Sequence, residues 1–381
     1  MLTAYRFASF LVFLLAWMQP AVAGDPDRSK GDRAEQTDSI FSALRSNNAP
    51  GAAVLVLKDG SISFQRGYGV ADLRTRHQIN AQTNFRLASV TKQFTAMAVM
   101  LLVHDGKQHY DDRLTDIFPD FPEYGKGISI RNLLNHTSGL QDYEDLIAQP
   151  DPTTAQRDDA QSQIPQIQDA EVLELLKRQN TTKFTPGTKW AYSNSGYVAL
   201  GLIVARVSGK PFGQFLHERI FAPLKMNHTL AYRRGQNQVA HRAYGHTKVG
   251  KQWVETDQSA TSATLGDGGI YSSLEDLAKW DAALSRHTLL SAAEMRPALT
   301  PVEIPGGSPE EPDGKPAKYG FGWFLNPHQG HARMWHYGET IGFRTSIQRF
   351  VDDQLTVIVL SNRSDVDARD LSLKVASWYL K

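Results

Sequence analysis

Apolar and polar positions divide the chain into two β-rich ends and a helical middle. Residues 51–57 form a short apolar run, and residues 62–69 follow it after the polar turn 58–61. Near the C-terminus, residues 345–350 and 355–360 form a second pair around Asp352 and Asp353. Short apolar runs bounded by turn residues are typical of strands that pair as hairpins. The pattern therefore predicts antiparallel strands at both ends of the chain.

The middle of the chain carries helical patterns. Residues 197–207 and 212–221 are apolar and periodic, and Ser272-Ser273-Leu274-Glu275 resembles a capping box opening a helix through Leu284. Residues 367–380 form a further helical pattern, and residues 301–318, rich in Pro and Gly, a surface loop.

These elements predict an α+β fold. One antiparallel sheet, built from both chain ends and flanked by helices, carries an inserted, mostly helical region. We expect residues 39–98 and 285–381 to form the sheet part and residues 99–284 the mainly helical part. A cleft between two such parts is a common place for an active site.

The first 23 residues have the pattern of a secretory signal peptide. Arg6 precedes an apolar block, and Ala21-Val22-Ala23 offers small residues at a cleavage site. Residues 24–38 are predicted to be a flexible leader, with a helix beginning near Ile40. An uncleaved N-terminal anchor is the alternative. After cleavage we expect an exported, periplasmic or secreted protein without stable membrane insertion.

Composition narrows the possible partners. The 381 residues include 41 basic and 40 acidic ones in no polybasic run, which argues against nucleic-acid binding. The chain has no cysteine, so disulfides and lipid attachment behind the signal are excluded. The 12 histidines show no metal-ligand spacing, and neither a metal nor another cofactor is expected. The oligomeric state is not readable from the sequence.

Ser89-Val90-Thr91-Lys92 is the first candidate for catalysis. It precedes the almost wholly apolar run 93–102, which predicts a buried helix. Ser89 and Lys92, three residues apart, then share one helix face. Burial lowers the pKa of a lysine, which can accept a proton from a neighbouring serine hydroxyl. The alternative is an ordinary helix start with an extended lysine.

Tyr192-Ser193-Asn194 is the second candidate. A tyrosine near a lysine can shuttle protons to a leaving group or from a water molecule. Asn194 offers a donor and an acceptor to a substrate amide or carbonyl. A loop with an Asx turn is the alternative.

His336-Tyr337-Gly338-Glu339 is the third candidate and lies just before the strand predicted at Thr345. Gly338 lets a substrate lie against the strand backbone. The backbone N–H groups of Glu339 and Ser89 could together polarise a carbonyl, as an oxyanion hole does. His336 would supply a hydrogen-bonding or partly cationic group.

In this order, the three motifs resemble the serine β-lactamase and penicillin-binding protein superfamily. Tyr192-Ser193-Asn194 is similar to the branch of class C β-lactamases, DD-peptidases and related esterases. The resemblance covers residues 39–380. Further matching stretches are Gly67-Tyr68-Gly69-Val70-Ala71-Asp72, Phe85-Arg86-Leu87-Ala88-Ser89, Leu133-Leu134-Asn135-His136-Thr137-Ser138-Gly139-Leu140, Phe184-Thr185-Pro186-Gly187, Gly268-Gly269-Ile270-Tyr271-Ser272-Ser273 and Tyr319-Gly320-Phe321-Gly322-Trp323.

The resemblance implies a β-lactamase-like fold and acyl-enzyme formation at Ser89. Lys92 and Tyr192 would handle protons, and which of them is the general base stays open. Asn194, His336 and Gly338 would contact substrate, and the backbone of Ser89 and Glu339 would hold the oxyanion. The implied substrates are small esters, peptides or β-lactams.

The third motif departs from the K-T-G of β-lactamases. Loss of a fixed charge contact costs about 1.5–3 kcal/mol, one to two decades in affinity. An esterase-like hydrolase is therefore the best interpretation. D-Ala-D-Ala carboxypeptidase, D-aminopeptidase and weak β-lactamase activities are alternatives, and an inert peptidoglycan-fragment or β-lactam sensor is a non-enzymatic one. Asp267 is expected in an exposed turn, His136 in a structural role and Arg344 in a salt bridge.

Overall fold

A computed structural model describes residues 26–147, 164–305 and 307–380. The predicted signal peptide, residues 1–23, lies outside these ranges. Within them, no helix combines the length and the apolar character needed to cross a membrane.

Ten strands are described. They are β1 Ala52–Lys58, β2 Ser61–Tyr68, β3 Phe85–Arg86, β4 Leu230–Ala231, β5 His246–Val249, β6 Gln252–Glu255, β7 Ile270–Ser272, β8 Arg333–Thr340, β9 Phe343–Phe350 and β10 Leu355–Ser361. Five form the main sheet in the order β2-β1-β10-β9-β8. Strand β1 pairs antiparallel with β10, with Ala52 opposite Ser361 and Lys58 opposite Leu355. The pairing of β1 with β10 therefore joins strands from opposite ends of the chain in one open sheet.

The helices fill the middle of the chain and flank the sheet. They are α1 Pro26–Ile40, α2 Lys92–His104, α3 Leu114–Ile117, α4 Ile130–Leu134, α5 Tyr143–Leu146, α6 Asp169–Lys177, α7 Asn194–Ser208, α8 Phe212–Leu216, α9 Leu274–Ser285, α10 Ala292–Leu299 and α11 Ala368–Ser377. Short 3₁₀ helices lie at Ser42–Leu44, Ala88–Thr91 and Glu123–Gly127, and a π-helical turn at His217–Phe221.

Alternation along β1 separates two hydrophobic cores. Ala53, Leu55 and Leu57 face the large core shared with α2 and α7. Ala52 and Val54 face the smaller core beneath α11. Successive residues of a strand point to opposite faces, so a strand buried on both sides reads as the continuous apolar run seen in the sequence.

The predicted α+β fold is confirmed, with strands at both ends and helices between them. The predicted helices at 197–207, 212–221 and 367–380 are present as α7, α8 with its π-helical turn, and α11. The helix through Leu284 is α9, and its N-cap is Ser273, whose hydroxyl accepts from the Asp276 N–H.

Two features differ from the sequence prediction. Residues 26–40, which include most of the predicted flexible leader 24–38, form helix α1, and this helix ends at Ile40, where a helix was predicted to begin. This largely polar helix packs on α11, and the Arg33 guanidinium lies 5.7 Å from the ring of Tyr379, just beyond α11. The third motif does precede the strand predicted at Thr345, which is β9, but the motif itself lies in a strand that was not predicted, β8, which pairs with β9 in register from Arg333 to Thr340.

Candidate active site

Ser89 lies on the 3₁₀ helix that leads directly into α2. The preceding residue, Ala88, has a φ of 49°, a left-handed conformation that is uncommon for a residue with a side chain. Strain of this kind is often concentrated at functional sites. Ser89 is half-buried, whereas Lys92, one turn further, is fully buried.

Lys92 holds three hydrogen bonds. Its Nζ lies 3.0 Å from the Ser89 Oγ, 2.8 Å from the Asn194 Oδ1 and 3.0 Å from the Asp267 carbonyl oxygen. The loop that carries Asp267 is fixed to α2, because the Thr95 hydroxyl donates to the Gly266 carbonyl at 2.6 Å. The first two motifs are thereby brought together around one amine.

Burial lowers the pKa of Lys92 to about 8, although the nearby carboxylates of Asp267, Asp142 and Glu144 act in the opposite direction. A neutral amine has two protons and one lone pair. The carbonyl oxygens of Asn194 and Asp267 can only accept hydrogen bonds. In its neutral state, Lys92 therefore directs its lone pair at the Ser89 hydroxyl.

Tyr192 lies beside this pair. The Lys92 Nζ is 4.8 Å from the centre of its ring. The Tyr192 hydroxyl is buried, and the Ser89 hydroxyl lies beside it. Burial raises the pKa of Tyr192 above its usual value, and the smaller effect of Ser89 lowers it. Tyr192 is therefore a neutral phenol at pH 7.

Asn194 begins α7, next to the N-cap residue Ser193. Its backbone N–H donates to the Asp142 carboxylate at 2.6 Å, and its side chain interacts with Glu144. Glu144 keeps an exposed side chain, but partial desolvation by the surrounding protein and the neighbouring carboxylates of Asp267 and Asp142 raise its pKa to about 7. An acidic group thus stands beside the residue predicted to bind substrate.

Strand β8 brings the third motif against the helical turn that carries Ser89. A Cβ at Gly338 would lie 2.1 Å from the Leu87 carbonyl oxygen and 3.1 Å from the Ala88 Cβ. The Thr345 hydroxyl of β9 donates to the same Leu87 carbonyl at 2.8 Å. Only glycine permits this approach, which sets β8 beside the helical turn of Ser89.

His336 is neutral, so of the two roles that the sequence allowed it can act as a hydrogen-bonding group but not as a partly cationic one. It is fully buried, and burial together with the Lys92 charge lowers its pKa to about 3. Its ring centre lies 6.3 Å from that of Tyr192. His336 therefore lies behind Tyr192 and offers no fixed positive charge to a substrate.

Asp267 lies in a turn, as predicted, but its expected exposure was wrong, and so was the salt bridge expected for Arg344. Asp267 is 5% exposed, and the Tyr143 hydroxyl donates to its Oδ2 at 2.9 Å. Arg344 Nη1 donates to the carbonyls of Thr340 and Phe343, and the described residues place no carboxylate in a salt bridge with it. Asp267 is buried because its loop packs beneath Lys92.

Sequence reasoning expected a structural role for His136 but did not connect it, or the other supporting residues, to the motifs. Asp142 and Glu144 follow the Leu133–Leu140 stretch directly, but nothing local ties them to Asn194. His136 and Tyr319 lie in stretches that carried the resemblance, yet the hydrogen bond between them links positions 183 residues apart. Such contacts exist only once the chain is folded.

The fold and the Ser89–Lys92 pair define a serine hydrolase. The Beta-lactamase family model matches residues 34–377, and the chain belongs to this family.

The relatives agree with this assignment. The chain is 30% identical to a penicillin-binding protein of Bacillus subtilis over 366 residues, which cover 92% of this chain and 77% of that protein. It is also 30% identical to a D-aminopeptidase of Brucella canis over 348 residues, 89% of this chain but 61% of that protein. The solved D-amino acid amidase of Ochrobactrum anthropi superposes with a TM-score of 0.74 at 24% identity, covering 91% and 98% of the two chains, which supports the fold.

Proposed function

We propose that this protein forms an acyl-enzyme at Ser89 and hydrolyses ester bonds of small, uncharged acyl compounds. The observation that carries this proposal is the orientation of Lys92, whose two other partners are obligate acceptors. Lys92 is then the general base, since Tyr192 keeps its proton.

Acylation begins when the Ser89 Oγ attacks the substrate carbonyl carbon and its proton passes to the neutral Lys92 Nζ. The backbone N–H groups of Ser89 and Glu339 stabilise the oxyanion. As the bond to the leaving group breaks, the Tyr192 hydroxyl gives its proton to the departing oxygen. Lys92 returns a proton to Tyr192, so both residues end in their starting states.

Deacylation reverses this sequence with water in place of the alcohol. Tyr192 and Lys92 remove a proton from the attacking water, the Ser89–acyl bond breaks, and the proton returns to the Ser89 Oγ. The products are a carboxylic acid and free enzyme. Asn194 holds Lys92 in place throughout and presents its amide to the acyl side of the substrate.

Substrate charge separates the candidate activities. A β-lactam or a D-Ala-D-Ala peptide carries a carboxylate, and the neutral, buried His336 supplies no cation for it. Beside Glu339, a pocket of about 440 Å³ is lined by apolar side chains, several hydroxyl groups and Arg344. The Arg344 Nη1 already donates to the backbone carbonyls of Thr340 and Phe343. The apolar part of the pocket, Val249, Val254 and Ile341, could receive an uncharged acyl chain.

Hydrolysis of amino acid amides is a second candidate. Asp142 and Glu144 lie beside Asn194, where their carboxylates could bind the ammonium group of such a substrate. The named D-aminopeptidase and D-amino acid amidase point in the same direction. Glu144→Gln should then raise KM for a D-amino acid amide and leave KM for a neutral ester unchanged.

The first test is covalent labelling by an alkyl phosphonate probe that reacts with active serines. Labelling is expected in the wild type, abolished in Ser89→Ala and strongly reduced in Lys92→Ala. Labelling that survives Ser89→Ala would show another nucleophile. Absence of labelling in the folded wild type would favour the inert sensor.

The second test compares short-chain aryl esters, a chromogenic cephalosporin, D-Ala-terminated peptides and D-amino acid amides. Ester turnover is expected, with kcat/KM for the cephalosporin lower by at least about two decades because the charge contact is missing. Equal or faster cephalosporin turnover would contradict the ester assignment.

We also propose that the hydrolase is exported, on the pattern of residues 1–23. A cysteine-free chain needs no disulfide formation after export, so its stability rests on the two hydrophobic cores.

A further inference from the structure

A buried chain of hydrogen bonds joins the second motif to the third. The Ser193 backbone N–H donates to the His136 Nδ1 at 3.1 Å, and the His136 Nε2 lies 3.1 Å from the Tyr319 hydroxyl oxygen. The same oxygen lies 3.2 Å from the His336 Nε2. The His336 Nδ1 lies 2.7 Å from the Tyr337 carbonyl oxygen. The side chains of His136, Tyr319 and His336 are fully buried.

When both imidazoles are neutral, one placement of their protons gives every donor and acceptor in this series of hydrogen bonds a partner. A backbone N–H only donates, so the His136 Nδ1 accepts and its proton is on Nε2. A backbone carbonyl only accepts, so the proton of His336 is on Nδ1 and its Nε2 accepts. Tyr319 therefore accepts from His136 and donates to His336, and each side chain donates once and accepts once.

The two histidines of this hydrogen-bonded series lie beside Tyr192. The His136 ring centre is 4.4 Å from that of Tyr192, and the His336 ring lies beyond it. One end of the chain is the backbone of Ser193, between Tyr192 and Asn194. The other end is the backbone of Tyr337, next to Gly338. The two ends thus belong to different elements, the N-terminus of α7 and strand β8.

We propose that Tyr319 is a positioning residue whose hydroxyl holds the Tyr192-Ser193-Asn194 segment and strand β8 at the separation that the reaction requires. This inference rests on the proposed function. It also explains why the third motif contains a histidine, because the Nε2 of His336 accepts the hydrogen bond from Tyr319. A lysine at this position has donors but no acceptor, so it could not accept the hydrogen bond from Tyr319.

Tyr319→Phe tests this role, because it keeps the ring and removes the hydroxyl that links His136 to His336 and also contacts Tyr197. We expect kcat for an aryl ester to fall about 10- to 100-fold, the effect of a small misplacement of catalytic groups, with KM within about twofold of the wild type. The matched control is Tyr124→Phe, whose hydroxyl donates to the Leu176 carbonyl at 2.6 Å away from the motifs. That variant should lose stability to a similar extent and keep the wild-type kcat.

The ¹⁵N spectra of the histidines give a readout independent of turnover. At pH 7 the wild type should show His336 protonated on Nδ1 and His136 on Nε2, with signals assigned by His336→Asn and His136→Asn. In Tyr319→Phe the His336 signal should move toward a mixture of tautomers. A wild-type His336 protonated on Nε2, or a kcat in Tyr319→Phe equal to that of Tyr124→Phe, would overturn the inference. Failure of phosphonate labelling would instead count against the proposed function.

Discussion

Lys92 must be neutral before it can take the proton of Ser89, so ester hydrolysis should depend on pH. With a pKa lowered to about 8, Lys92 is charged and inactive at low pH. We therefore expect kcat/KM for a neutral ester to rise with pH and to level off above about 8. His336, with a pKa near 3, should add no step between pH 5 and 7. A step near pH 6.5 that disappears in His336→Asn would contradict the neutral assignment.

Gly338 is the position where a single added methyl group should do most harm. A Cβ there would meet the Leu87 carbonyl at 2.1 Å and the Thr345 Oγ1 at 2.4 Å, neither of which can move freely. Gly338→Ala should lower the free energy of unfolding by about 1–3 kcal/mol and abolish most phosphonate labelling. Gly31→Ala, in an open position of α1, is the control and should label at the wild-type rate. Normal labelling of Gly338→Ala would show that β8 does not need this close approach.

At the scale of elements, one buried ion pair ties helix α9 to the sheet. The Arg349 Nε of β9 lies 2.6 Å from the Asp281 Oδ1, which also accepts from the Thr356 hydroxyl of β10 at 2.7 Å. Asp281→Ala would leave a buried guanidinium without its counterion, at a cost of about 3–5 kcal/mol measured by urea unfolding. Asp370→Ala, which breaks the exposed pair with Lys374, should cost less than about 1 kcal/mol. Similar costs for the two variants would refute this role of Asp281.

Elements with a clear apolar pattern were predictable, and those held by tertiary contacts were not. Strands β1 and β10 are buried on both faces and read as continuous apolar runs. Helix α1 is largely polar and is helical where it packs on α11. Strand β8 mixes aromatic, charged and glycine residues, because its residues serve the cleft as well as the sheet.

In the site, too, local motifs could be predicted from the sequence and tertiary contacts could not. The three motifs are local, so Ser89, Lys92, Tyr192 and His336 could be identified from spacing and order. The supporting residues could not, because the hydrogen bond from Lys92 to the Asp267 carbonyl spans 175 positions. The protonation states also depend on burial, which no local pattern of residues specifies.

At the scale of the whole molecule, export is directly testable. When the full chain is expressed with a functional secretion pathway, the mature protein should begin at Gly24, after Ala21-Val22-Ala23. N-terminal sequencing of the extracytoplasmic fraction measures this. An Ala23→Arg variant should remain uncleaved, and Ala34→Arg, beyond the cleavage site, is the control. A mature protein that retains residues 1–23 would indicate the uncleaved anchor.

The pairing of β1 with β10 has a consequence for synthesis. Gly51 donates its N–H to the Asn362 side chain, 311 positions further along the chain, and Asn362 donates in turn to the carbonyls of Val70, Ala71 and Tyr244. Until residues 355–361 have been synthesised and released, strand β1 has no partner on that side. Long-range pairing of this kind is slow and delays folding. The main sheet thus forms late, which would keep the chain in the unfolded state that the proposed export through a translocation channel requires.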